Sequence, residues 1–356
     1  MPQNAYAIAV VKWYEEDEIA NAIHYELQQL GQRPFFFQAN TAVPQQADIV
    51  FTFAPYGPFL PIVQQLARWP TAKRPLLLHW NTEGLPDLRL PWLLTRLVGS
   101  MRSWLERLKY RLDPTNNIHP LFSHLESRVL RFRYVGDYYY AYNKGILNVF
   151  SDSSAVYSRL HSRHGLPTVF APWGASPQWY TDLNLERDID VLWMGNRHGR
   201  RRSQLLDRVR EDLLKQGVDM YVADDRENPF IFGQERINFL NRAKITLNIT
   251  RTWHDDNFSR FALAAPNRSL IVSEHLLPHC PAYEAGVHYA AASPAKLADT
   301  IIHYLRHPEA RAEIVDKAYR LSTSQLTFNS SIKKLLQAAT KLPETAPQRL
   351  RTIEFV

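Results

Sequence analysis

The sequence predicts an α/β protein made of two lobes, each a parallel sheet covered by helices. Three observations point there. Short apolar runs alternate with amphipathic stretches along both halves of the chain. A segment rich in Pro, Gly and Trp, residues 172–187, divides the halves. The 356 residues are enough for two domains with separate cores.

In the first half, Ala7 to Val11 is an apolar strand. Glu16 to Leu30 places Ile19, Ile23, Leu27 and Leu30 on one helical face, and Gly31 ends that helix. Strands are expected at Pro34 to Gln38, Asp48 to Phe53 and Pro75 to His79, with a helix over Phe59 to Ala67. After an interruption at residues 88–136, a strand at Ile146 to Phe150, a helix at Ser153 to His161 and a strand at Thr168 to Ala171 complete the lobe. The second half gives strands at Val191 to Met194, Met220 to Ala223, Ile245 to Ile249, Leu270 to Val272 and near Val287 to Ala290. Helices are expected at Ser203 to Lys215, Gln234 to Asn241, Ala295 to Leu305 and Pro308 to Leu321. Strand–helix alternation of this kind forms Rossmann-like sheets, which take ligands at the carboxyl ends of their strands. The expected domains are residues 1–172 with a basic helical insertion, then 173–335, then a tail over 336–356.

Composition narrows the class. The chain is 45% hydrophobic and 22% charged, as globular chains are. A net charge of +7 favours an anionic partner, whether nucleotide, phospholipid or nucleic acid. No RNP-like aromatic motif, zinc pattern or helix-turn-helix signature supports nucleic acid. A single cysteine, Cys280, fits a reducing compartment. The N-terminus lacks the basic and apolar regions of a signal peptide, and no run reaches the roughly 20 apolar residues of a spanning helix. A cytoplasmic protein is expected, with room for contact at the inner face of a membrane.

Two segments carry chemistry. From Asp190 to Ser203, DVLWMGNRHGRRRS, an apolar strand runs into Gly195, a basic loop and a helix start. Main-chain amides and a helix dipole converge on an anion in such a turn, and Arg197, Arg200, Arg201 and Arg202 add charge-assisted contacts. A solvated basic cap is the alternative. In the interruption, Leu94, Leu97, Met101, Trp104, Leu105, Leu108 and Leu112 share one helical face, with Arg96, Arg102, Arg107, Lys109 and Arg111 around the rest. That pattern over 92–112 fits an interfacial membrane helix, or a helix docked by its apolar face on the protein's own core.

The chain resembles the GT-B glycosyltransferases of the group 1, family 4-like type, in the bacterial branch related to spore-maturation proteins. The likeness runs from about Leu147 to Arg320. It is carried by NVFSDSSAVYSRLHSRHGLPTVFAPWGASPQWY, DVLWMGNRHGRRRSQLL, LNRAKITLNITR and the stretch from Phe258 to Arg311. The resemblance implies two Rossmann-like domains facing across a cleft, a nucleotide sugar on the second and a glycan or lipid-type acceptor on the first. It implies sugar transfer with retention, with no cofactor and no metal, because basic side chains and a helix terminus meet the charge on the departing diphosphate.

Carried onto this chain, the diphosphate would meet Gly195, Asn196, Arg197, Arg201, Lys244 and Arg260. Nucleotide or sugar would meet Arg251, Ser259 and Glu274. On the first lobe, Leu76 to Leu78 delivers His79 and Glu83 to a strand end, where either suits acceptor binding or proton transfer. Asp255 and Asp256 sit in the loop before Phe258. One departure matters. Where the family pattern has a ribose-holding glutamate, this chain has Ala262, and Pro266, Asn267 and Arg268 replace the small glycines that follow. Another group holds the ribose, or the donor is unusual, or the protein is a degenerate member serving as a binding or scaffold module.

Overall fold

The computed structural model describes residues 5–53, 59–84, 86–112, 127–197, 199–252, 258–276 and 283–340. It divides into two compact units, Met1–Ala171 together with the chain from Ser331, and Pro172–Ser330.

The first unit runs β1 (Ala7–Lys12), α1 (Glu18–Gln29), β2 (Arg33–Gln38), β3 (Ile49–Phe53), α2 (Phe59–Ala67) and β4 (Leu76–Asn81). There follow α3 (Trp92–Leu112), α4 (Ser127–Asn143), β5 (Leu147–Asp152), α5 (Ala155–Arg163) and β6 (Thr168–Phe170). Its six strands are ordered β2-β1-β3-β4-β5-β6, and every pairing is parallel. β3 and β4 are buried along their whole length, as strands covered on both faces must be. Local sequence sets several helix starts. Asp17 accepts from the Ala20 amide at 3.1 Å to cap α1, and Ser154 accepts from the Tyr157 amide to cap α5.

The second unit runs β7 (Ile189–Met194), α6 (Arg200–Leu214), β8 (Met220–Ala223), α7 (Gly233–Arg242), β9 (Ala243–Asn248) and α8 (Ser259–Ala264). It continues with β10 (Leu270–Glu274), β11 (Ala290–Ala292), α9 (Leu297–Arg306) and α10 (Pro308–Ser324). The five strands are ordered β11-β10-β9-β7-β8, again all parallel. The order reverses between β7 and β9, which creates the crevice where such sheets take ligands. A core of Val191, Trp193, Leu206, Val222, Ile245, Leu247 and Val272 holds helices to sheet. Two passages of chain in this unit lie side by side. The Ala175 amide donates to Leu326 O at 2.8 Å and the Phe328 amide to Ala175 O at 2.9 Å. Gly174 permits the approach, because a Cβ there would lie 2.2 Å from the Thr327 carbonyl carbon.

The last described helix, α11 (Phe328–Thr340), begins in the second unit and belongs to the first from Ser331. The expected boundary at 335 therefore falls inside a helix, and the tail expected from 336 is helical as far as Thr340. No helix among the described residues is long and apolar enough to cross a membrane.

The insertion departs from expectation in an instructive way. α3 packs on α4, but through its polar and small residues: Thr95, Gly99, Arg102, Ser103, Glu106 and Tyr110 are buried. Backbones meet at a glycine pair, where a Cβ on Gly136 would lie 2.0 Å from Gly99 O. Of the two readings of the apolar face, docking on the protein's own core is not the one found: the face is exposed, with Leu93 at 79% and Leu97 at 67%.

Candidate nucleotide-binding site

A cavity of about 200 Å³ opens where the second sheet reverses its strand order. Its wall takes Met194 and Gly195 from the end of β7, Ala223 from β8, and Asn248, Thr250 and Arg251 from the end of β9. Ser259, Arg260 and Leu263 come from α8, Arg202 from α6, and Phe230, Ile231, Phe232 and Arg236 from the approach to α7 and that helix itself. Four of these are arginines, and no carboxylate is among the described residues of the wall. Arg202 and Arg236 are buried. A basic cavity with polar amides and hydroxyls is suited to an anion.

Arg260 ties the switch-point strands together. Its Nε donates to Met194 O at 2.8 Å and its Nη1 to Asn248 Oδ1 at 3.0 Å, with the guanidinium 5.6 Å from the Trp193 ring centre. Asn248 Nδ2 in turn donates to Ser273 Oγ at 2.9 Å on the neighbouring strand β10. Gly195 follows β7 with φ +122°, and a Cβ there would lie 2.6 Å from Arg260 Nη2. Gly195, Arg251, Ser259 and Arg260 are thus brought to one cavity. Asn196 follows directly, its carbonyl 3.5 Å from Arg202 Nη1.

Glu274, at the end of β10, is buried and turned inward on the structure. It accepts from the amide and hydroxyl of Thr250, both at 2.9 Å, and pairs with Arg201. Arg201 Nη1 also donates to Thr250 O at 3.0 Å. This pair pins the loop that carries Arg251, so neither Arg201 nor Glu274 is in the cavity wall, contrary to expectation. The carboxylate and guanidinium form a charge-assisted pair beside the cavity.

Two further expectations are corrected. Arg197 is engaged by three carboxylates, Asp207, Asp224 and Glu227, and does not line the cavity. Burial would raise the Asp224 pKa, but the Glu227 amide, Arg197 and the Arg226 amide together hold it below the usual value. Lys244 pairs with Asp190 at 2.6 Å. It is the second residue of β9, at the amino end of a strand whose carboxyl end forms the cavity. The strand expected from Ile245 already puts the lysine at this end, and the structure keeps it there.

In the first unit His79 is a core residue and not a base. β4 extends to Asn81, two residues beyond expectation, so the strand end lies past the histidine. The ring is fully buried among Phe59, Tyr138 and Phe150, and burial lowers its pKa to about 3. Thr52 Oγ1 lies 2.9 Å from His79 Nδ1 and 3.2 Å from Leu78 O, so the ring's polar contact is with a buried hydroxyl of the neighbouring strand. Glu83 is half-buried in the loop after β4, where its carbonyl accepts from Asn81 Nδ2 at 3.0 Å. Asn81 also donates to Asp152 at 2.7 Å and accepts from the Tyr138 hydroxyl at 3.0 Å.

Ala262 is fully buried and outside the cavity wall, while Ser259, Arg260 and Leu263 of the same helix line it. The left-handed turn after this helix falls on Arg268, φ +57°, whose guanidinium stacks 3.9 Å from the Tyr319 ring centre and pairs with Asp316. Asp255, Asp256 and Cys280 lie outside the described residues. Sequence reading missed Arg236, Phe230, Phe232 and Thr250. Their places follow from how α7 and the loop after β9 meet, for which no local pattern is a signal.

Residues 197–337 match the family model described as glycosyl transferase-like. Among solved structures the chain is similar to the Anabaena protein HepE in complex with UDP-glucose. The identity is 10% and the TM-score 0.54, over 95% of this chain and 100% of that one. It is also similar to sucrose-phosphate synthase from Thermosynechococcus elongatus, with 10% identity and a TM-score of 0.56 over 94% and 98% of the two chains. No match is found among curated proteins. The fold is that of the GT-B proteins, and the segment that matches the glycosyl transferase-like model contains most of the cavity wall.

Proposed function

We propose that the protein transfers a sugar from a nucleotide-sugar donor, and that the donor's diphosphate lies in the cavity at the end of β7. The observation that carries this is that Arg202, Arg236, Arg251 and Arg260, all within the glycosyl transferase-like segment, line one cavity with Gly195, which lies just before that segment. Negative charge develops on the departing diphosphate, and fixed guanidinium groups stabilise it without reorganising. In this reading transfer proceeds without a metal or cofactor, and with retention, as the resemblance implies. Phe230 and Phe232 offer aromatic surface at the cavity, with ring centres 6.1 Å apart, for the nucleobase. A UDP-hexose is the first donor to test, since the Anabaena neighbour was solved with UDP-glucose. Glu83 remains the acceptor-side residue of this proposal. The acceptor is a glycan or a lipid-linked glycan, met at the inner face of a membrane.

The experiment is calorimetric titration with UDP, GDP and ADP and their sugars. At least one should bind, and Arg260→Ala should weaken that binding tenfold or more, about 1.4 kcal/mol or above. Failure of every nucleotide to bind sinks the proposal. A second reading, a degenerate member that binds without turnover, is favoured by Ala262 and by the lack of a carboxylate in the described wall. Tight binding with no hydrolysis or transfer across a panel of acceptors would select it.

A further inference from the structure

We propose that the outward face of α3 docks the protein on an anionic lipid bilayer. The proposal deepens the lipid-side reading of the acceptor and rests on it to that extent; the donor cavity plays no part.

The observation is an amphipathic helix packed with the opposite sense to that expected in water. Thr95, Gly99, Arg102, Ser103, Glu106 and Tyr110 form its buried face. The contact at Gly99 and Gly136 is too close for any side chain, so α3 cannot rotate to bring its leucines inward. Buried Arg133 reaches Glu106 at 3.8 Å, which fixes the same face. The opposite face carries Leu93, Leu94, Leu97, Met101, Trp104, Leu108 and Leu112, exposed by 38–79%. A contiguous apolar stripe of this length on a soluble surface marks an interaction site.

Charge selects the occupant. The acid of α3, Glu106, is buried, while Arg111 is exposed and Arg96, Arg107 and Lys109 sit half-buried at the sides. Arg96 and Arg107 are steadied on the rings of Tyr139 and Tyr140, at 4.3 and 3.9 Å from the ring centres. The outward half of the helix therefore presents hydrocarbon bordered by cations, and no anion. An anionic bilayer matches both: leucines, Met101 and Trp104 enter the acyl boundary while the basic side chains meet lipid phosphates. At 21 residues, α3 lies about 30 Å along the surface and is too polar to cross it.

The test is co-sedimentation of the full chain with phosphatidylcholine vesicles, with and without phosphatidylglycerol. Binding should be at least tenfold stronger to the anionic vesicles and fall with salt. The double change Leu97→Asp with Trp104→Asp should abolish it, and Lys109→Glu with Arg111→Glu should weaken it severalfold. An independent readout needs no disruptive change: brominated phosphatidylglycerol should quench tryptophan fluorescence in the wild type, and markedly less in Trp104→Phe. Equal binding to neutral and anionic vesicles overturns the proposal, as does wild-type binding by the Asp double variant. Wild-type dimers in sedimentation velocity that the double variant dissolves, with no vesicle binding, would assign the face to a second copy and also overturn it. Nucleotide titrations on the same samples separate the two readings. Loss of docking with intact nucleotide binding leaves the donor proposal standing, and vesicle binding without nucleotide binding leaves docking standing alone.

Discussion

At Gly195 the backbone holds φ +122°, and the space a Cβ would take is filled by Arg260 Nη2. Glycine is needed there twice, for its conformation and for the arginine's approach. Arg260 and Arg197, both read from sequence as phosphate ligands, have different jobs. Arg260 faces the cavity, whereas Arg197 closes a carboxylate cluster in which the Asp224 side chain has no exposure. Arg197→Ala should leave that buried carboxylate with main-chain amides but no cation and cost about 3 kcal/mol of stability. Arg260→Ala should lose nucleotide affinity with the smaller stability change. Urea unfolding beside calorimetry checks the pair, and an Arg197→Ala protein of wild-type stability would mean that the carboxylate cluster has no structural role.

Among the elements, β5 is held between two buried histidines. His79 of β4 stacks on Phe150 at 6.1 Å, and His161 of α5 meets the same ring edge-on at 5.1 Å. Burial lowers both pKa values from 6.5 to about 3. As pH falls below 6.5 the unfolded chain binds protons that the folded chain refuses, so stability declines through the window from 6.5 toward 3 and is level above it. Each histidine contributes a slope of about 1.4 kcal/mol per pH unit within that window. Urea midpoints measured from pH 7.5 to 5 should drop accordingly, and less steeply in His79→Phe; a flat profile would contradict the burial of these rings. Asp224, with its lowered pKa, acts in the same direction, since its contribution is present above the unfolded carboxylate value and is lost as pH falls through the folded one.

For the whole molecule, the return of the chain at Ser331 matters most. Ile332, Leu335, Leu336 and Ala339 of α11 are buried, so this last described helix joins the unit in which the chain began. Ending the chain at Thr327 should strip the first unit of several kcal/mol of apolar burial. Scanning calorimetry should then show the first unit melting at lower temperature, and an unchanged trace would show α11 to be dispensable.

How much was legible follows from the range of the forces involved. Most described strands were found within about two residues of their places, because burial on both faces of a parallel sheet demands unbroken apolar runs. Gly195, Arg251, Ser259 and Arg260 were legible as candidates because strand ends and turns are local features. His79 misled because two further residues of strand, invisible in a short apolar run, moved the sheet's edge beyond it. Arg201, Glu274, Lys244 and Arg197 misled because a charge in a sequence carries no record of its partner. The sequence by itself determined the two parallel sheets and the basic turn after β7, since these depend on periodicity and glycine placement along the chain. Tertiary structure alone decided which arginines face the cavity and which face of α3 is left to solvent. Ion pairing and helix packing join residues tens of positions apart, and a glycine contact outweighed the apolar face that local pattern would have buried.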